Sequence, residues 1–111
     1  DNFIFISGDD ITFLDYLKKG GKAVISVTAN VRPLMMHEIC NLVKENKIED
    51  AEKLNQKLEL LHKAMFIESN PVPVKWMLTK MGLIQQYIRL PLVELDPSNT
   101  KILNEGYELS E

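Results

Sequence analysis

The chain has 111 residues, 45% of them apolar and 26% charged, with a formal net charge of −3. That is enough for one domain with a core, or for parts of two, because a chain of this size buries only about two thirds of its unfolded surface. The balance excludes the basic excess expected of a nucleic-acid or anionic-membrane binder, and no apolar run approaches the ~20 residues of a bilayer-spanning helix.

The first residue is Asp1, and a strongly apolar run follows within two residues. Natural chains rarely open this way, so the sequence is expected to be part of something longer. No basic region leads into an apolar stretch and a small-residue cleavage site, which makes a soluble cytoplasmic protein the default expectation. The single cysteine, Cys40, excludes an intrachain disulfide.

Phe3 to Ser7 is continuously apolar rather than alternating, the pattern of a parallel strand covered on both faces. Gly8 permits a tight exit. Asp9 or Asp10 can then cap a helix carrying Phe13, Leu14 and Leu17, since a carboxylate accepts from the free amides of a first turn. Lys18 and Lys19 suit the negative end of that helix, and Gly20 can stop it.

Ala23 to Val27 is a second continuous apolar strand, within the stretch Gly20 to Val31 on which the whole chain turns. The first thirty residues therefore form a strand, crossover helix, strand unit, which forces parallel pairing. Two such strands leave unpaired edges, so further strands are expected from elsewhere.

From Pro33 the pattern is helical. Pro33 fits the first position of a helix with Met36, Ile39, Cys40 and Val43 on one face. A second helix is predicted from about Glu49 to Phe66, where Ala51, Leu54, Leu58, Leu61 and Met65 form a stripe that packs on other helices. The proline-stiffened segment Glu68 to Trp76 opens a third helix at Pro73, with Val74, Met77, Leu78 and Met81 inward and Gly82 at its end. An extended apolar stretch, Ile88 to Val93, precedes Asp96-Pro97, which starts a last helix running to about Glu105.

The residues offer little chemistry by themselves. Asp9-Asp10 stands just beyond a strand's C-terminal end, where parallel α/β folds place ligands, but a helix cap with a solvated neighbour is the favoured reading. His37-Glu38 begins like a zinc-protease helix, yet Asn41 stands where the second histidine is needed. His37 and His62 are therefore read as surface or packing residues, and Cys40 as a buried, inert thiol. Lys22 enters its strand at the end away from the expected site, and Lys75 in a first helical turn is expected to salt-bridge or snorkel. No serine elbow and no phosphate-binding glycine loop is present.

Further reach comes from a resemblance. Ser7-Gly8-Asp9-Asp10, Gly20-Gly21-Lys22-Ala23-Val24-Ile25-Ser26-Val27-Thr28-Ala29-Asn30-Val31, Glu68-Ser69-Asn70-Pro71-Val72-Pro73-Val74-Lys75-Trp76 and Leu90-Pro91-Leu92, in that order, closely resemble the C-terminal part of the 4-hydroxy-tetrahydrodipicolinate synthase (dihydrodipicolinate synthase) family. The likeness is collinear over nearly the whole chain and departs from the family mildly at Arg32 and at Gln85-Gln86-Tyr87.

The resemblance implies an α/β fold: the C-terminal portion of a (β/α)8 TIM barrel plus an α-helical C-terminal domain. Residues 1–46 would supply the seventh and eighth strands with their helices, and residues 47–111 the helical domain. Such a barrel takes ~250 residues. The family condenses pyruvate with aspartate semialdehyde in lysine and diaminopimelate biosynthesis, through a Schiff base on a sixth-strand lysine that would precede Asp1. The tyrosines and threonine of the family's proton relay, and the arginine that holds the semialdehyde, would also lie outside.

No catalytic residue, metal or cofactor is therefore expected within the 111 residues. Two substrate-binding residues carry over by the resemblance. Ile25 would contact the pyruvate moiety, and Gly8 would leave room and offer its carbonyl. A homotetramer is implied for the full enzyme. Two other readings stand beside it: a non-catalytic folding or oligomerisation fragment, and a sister pyruvate aldolase such as N-acetylneuraminate lyase.

Overall fold

A computed structural model describes residues 3–111; Asp1 and Asn2 of the first expected domain lie outside the described residues. Strand β1 (Ile6–Ser7) and strand β2 (Ala23–Val24) pair in parallel, Ile6 with Ala23 and Ser7 with Val24. The Ile25 amide extends the ladder by donating to the Ser7 carbonyl at 2.8 Å. Helix α1 (Phe13–Lys18) makes the crossover and buries Phe13, Leu14 and Leu17. It stops where expected, at Gly20 with φ of 97°.

Two expectations about the strands need correction. Both are shorter than the apolar runs that contain them, and the first run is not buried: Phe3, Phe5 and Ile6 are exposed. A strand is covered on both faces only when other elements supply the cover, and among the described residues the sheet has two strands. The second strand ends at Val24 rather than Val27 because Val27 and Thr28 give their amides to the Asp10 carboxylate, which turns the chain into a 3-10 turn at Thr28–Asn30.

Helix α2 (Pro33–Lys44) opens on Pro33, as its missing amide proton permits, and buries Met36 and Ile39. Asn46, in the left-handed conformation at φ of 62°, ends it, and the Lys47 amide reaches back to the Leu42 carbonyl at 2.8 Å.

The single long helix expected from Glu49 to Phe66 is two helices, α3 (Ile48–Gln56) and α4 (Glu59–Ala64). The Leu58 amide bonds the Asn55 carbonyl at 2.9 Å, a tighter 3-10 type turn at the break. The expected stripe survives this break, with Ala51, Leu58, Leu61 and Met65 all buried.

Helix α5 (Val72–Lys80) begins at Val72, one residue before Pro73, and Gly82 ends it at φ of 74°. An irregular segment follows, with Leu95 buried and Leu90 and Val93 exposed. Glu68 holds the far end of that segment by accepting from the Asp96 amide (2.9 Å) and the Asn99 carboxamide (2.7 Å). Asp96 caps as expected, accepting from the Ser98 amide at 2.8 Å.

The last helix, α6 (Thr100–Leu109), runs past Glu105. It packs on α4 through Gly106, where an added Cβ would stand 3.0 Å from the Leu61 backbone. The core is built by Phe13, Ile39, Leu58, Leu61, Met77 and Leu103, none of them from β1 or β2, and Val24 of β2 packs against it half-buried. The radius of gyration, 14.9 Å, exceeds the ~13 Å of a compact domain of this length, in keeping with an open, uncovered strand face.

Candidate functional site

The C-terminal ends of β1 and β2 open on one cleft of about 410 Å³, lined by Gly8, Ile25, Ser26, Val27, Asn30, Asn70, Pro71, Val74, Lys75 and Leu78. Both residues singled out for substrate binding, Gly8 and Ile25, therefore stand at the same opening. They come together because parallel pairing aligns the strand ends, and each follows its strand directly. Ile25 is 74% exposed, so its side chain faces the opening. A Cβ built on Gly8 meets nothing within 4 Å, which leaves the floor beside it free.

The remaining wall is set by polar anchoring behind the cleft. Asp10 is 1% exposed, so the expected pairing of a cap with a solvated neighbour holds only in part. Asp9 stays at the surface and accepts from the Thr12 amide (2.9 Å) and hydroxyl (2.6 Å), which together hold its carboxyl below the usual carboxylate range. Asp10 turns inward. Its carboxylate accepts from the Ser26 hydroxyl, the Val27 amide (2.9 Å) and the Thr28 amide (3.1 Å). Ser26 in turn accepts from the Ala29 amide at 2.9 Å. Charge-assisted bonds of this kind satisfy a buried carboxylate and fix the backbone that donates to it.

Sequence reasoning missed this anchor, because nothing local tells Asp10 from Asp9. It also missed the partner of His62. That ring is buried, its Nδ1 lies 2.8 Å from the Thr28 hydroxyl, and its Nε2 lies 3.3 Å from the Asn55 Oδ1. Packing was the right expectation for His62, whereas His37 is exposed and bonds only Asn41, at 2.9 Å.

The two lysines part company. Lys22 faces a separate cavity at the other end of β2, with Gly20, Gly21, Cys40 and Lys44. Lys75 lines the Ile25 cleft, its Nζ 5.7 Å from the Tyr87 ring centre, and among the described residues it forms no ion pair. Cys40 is half-buried rather than buried, and burial pushes its thiol pKa up, away from the thiolate form. No group of His, Cys, Asp and Glu among the described residues could hold a metal ion, and no described helix is long and apolar enough to cross a membrane.

A parallel strand, helix, strand unit whose strand ends share a cleft, backed by a helical layer, defines an α/β chain of the class that places ligands beyond its strand C-termini. Within that class the sequence is specific. The model of the dihydrodipicolinate synthetase family matches residues 1–106, and the chain belongs to that family.

The 4-hydroxy-tetrahydrodipicolinate synthase of Saccharophagus degradans is 52% identical over 94 residues, covering 85% of this chain and 32% of that protein. The crystal structure of dihydrodipicolinate synthase from Thermotoga maritima superposes with a TM-score of 0.94 at 38% identity, over 98% of this chain and 37% of that one. The chloride-inhibited enzyme of Acinetobacter baumannii, complexed with pyruvate, superposes at 0.92 with 40% identity, over 97% and 37% of the two chains. The chain thus spans about a third of the length of the curated relatives it matches.

Proposed function

We propose that these 111 residues are the C-terminal part of a 4-hydroxy-tetrahydrodipicolinate synthase, a lyase that condenses pyruvate with aspartate semialdehyde in lysine and diaminopimelate biosynthesis. The observation that carries this reading is the meeting of Gly8 and Ile25 at one cleft beyond two parallel strand ends, in a chain of this family. The pyruvate in the Acinetobacter baumannii relative supports the choice of substrate.

In this reading β1 and β2 are the seventh and eighth strands of a (β/α)8 barrel. Residues 1–46 complete that barrel, and residues 47–111 form the helical domain, with the left-handed turn at Asn46 as the natural boundary. The imine-forming lysine comes from residues outside these 111. Its amine adds to the pyruvate carbonyl and water leaves, a step that needs a neutral amine and a site closed to bulk solvent. Ile25 gives that site an apolar wall and Gly8 the space beside it. No cofactor is needed, the assembly is a homotetramer, and the setting is cytoplasmic.

One observation favours a second reading for the chain taken alone. Phe3 and Phe5, just before β1, and Ile6, its first residue, are exposed beside an edge that no strand pairs among the described residues, which suits a non-catalytic folding or assembly fragment.

Borohydride trapping with pyruvate, on this chain and on the full-length protein, tests both. An adduct is expected only on the longer chain. A stoichiometric adduct at Lys22 or Lys75 overturns the assignment, and a full-length protein that prefers N-acetylmannosamine to aspartate semialdehyde makes it a sister aldolase instead.

A further inference from the structure

One buried hydrogen bond runs from the helical layer to the turn that forms the cleft wall. The Thr28 hydroxyl, fully buried, lies 2.8 Å from His62 Nδ1, and His62 Nε2 lies 3.3 Å from Asn55 Oδ1. A carboxamide oxygen only accepts, so the neutral ring carries its proton on Nε2 and presents Nδ1 as an acceptor to the Thr28 hydroxyl. Phe13 packs its ring edge-on to the imidazole with centroids 5.8 Å apart, which fixes the ring's tilt.

The other side of Thr28 is tied as firmly. Its amide and that of Val27 donate to the buried Asp10 carboxylate, two residues beyond Gly8. Ser26 and Val27 line the cleft beside Ile25. The wall residues thus hang between two anchors, Asp10 on the strand side and His62 on the helical side. Among the described residues Ile25 is mostly exposed, so within them its placement depends on the backbone that follows it.

We infer that His62 is a positioning residue for the proposed pyruvate site: acting through Thr28, it fixes the Ser26–Thr28 turn and with it the place of Ile25 at the cleft. It touches no substrate. The inference rests on the functional reading given above.

The test uses the full-length protein with three substitutions: Thr28→Val, which keeps the shape and removes the hydroxyl; His62→Phe, which keeps the ring and removes the acceptor; and His62→Asn, whose carboxamide oxygen can occupy the Nδ1 position. Steady-state kinetics with pyruvate and aspartate semialdehyde are read beside thermal unfolding. Thr28→Val and His62→Phe are expected to raise the pyruvate KM by about threefold to tenfold, the fold-change of one neutral hydrogen bond. They should leave kcat within about twofold, because no reacting group is touched. His62→Asn is expected to restore the KM.

A purely structural role would lower the melting temperature and leave KM alone. A wild-type KM in Thr28→Val therefore overturns the inference, whatever His62→Phe does to folding, and so does a KM in His62→Asn no better than in His62→Phe. Failure of the unsubstituted protein to form a borohydride-trapped pyruvate adduct overturns the functional reading instead.

Discussion

The guanidinium of Arg32 stacks 4.0 Å over the ring centre of Tyr107, donates from Nε to the Ser110 hydroxyl at 2.7 Å and donates from Nη2 to the Tyr107 carbonyl at 2.9 Å. One side chain leaving the cleft turn thus clasps the end of α6. Planar stacking with two directed bonds is what a guanidinium provides and an ammonium does not. Arg32→Lys should therefore be nearly as damaging as Arg32→Ala, each lowering stability by about 1–3 kcal/mol. Chemical denaturation of the full-length protein checks it, and full stability in Arg32→Lys contradicts it.

Gly106 sits mid-helix, where alanine ordinarily gains about 1 kcal/mol over glycine. Here the gain is reversed by contact. The added methyl would stand 3.0 Å from both Cα and N of Leu61, backbone atoms of a buried helix that cannot step aside as a side chain can. Gly106→Ala should destabilise by about 1–3 kcal/mol, and Gly106→Val by more. Thermal unfolding decides the sign.

His62 gives stability a pH dependence. Burial pushes its pKa below the usual 6.5, while the acidic groups Asp10, Asp9 and Glu59 pull the other way without prevailing. The unfolded chain takes up a proton near 6.5 and the folded chain resists it to lower pH, so the unfolded state binds more protons in that window. Stability from this residue is therefore full above about 6.5, falls as pH drops toward the folded value, and levels off below it. Urea midpoints at about pH 8 and about pH 5.5 should separate for the wild type and draw together in His62→Asn; an equal separation in both rejects the assignment.

Much of the strand, helix, strand unit was legible, because continuous apolar runs and the glycine at position 20 report local requirements directly. What covers a strand is a different kind of fact. The run Phe3 to Ser7 says that its faces seek apolar neighbours, not whether the described residues supply them, and they do not. The break between α3 and α4 was hidden for a related reason: Leu54, Leu58 and Leu61 keep helical spacing straight through the turn, so periodicity sees one helix. Asp9 and Asp10 show the limit most clearly. Both can cap, and only the amides of residues 27 and 28, brought in by strand pairing, draw Asp10 inward. Gly8 and Ile25 came from resemblance, since neither side chain carries chemistry that spacing could reveal.

Those two residues also admit a test that separates shape from stability. Within these 111 residues Ile25 is 74% exposed, so truncating it removes little of the area that they bury. If its side chain is instead the apolar wall of a substrate site, Ile25→Ala should raise the pyruvate KM of the full-length protein by about tenfold, the scale of small apolar changes in a binding pocket. Gly8 runs the opposite way. A methyl there meets no neighbour within 4 Å among the described residues, so Gly8→Ala should change KM little, whereas Gly8→Leu should fill the cleft and raise KM strongly. Steady-state kinetics and thermal unfolding on the three variants discriminate. Unchanged kinetics in both Ile25→Ala and Gly8→Leu would place pyruvate elsewhere, and a large loss of stability in Ile25→Ala would make that side chain part of the packing instead.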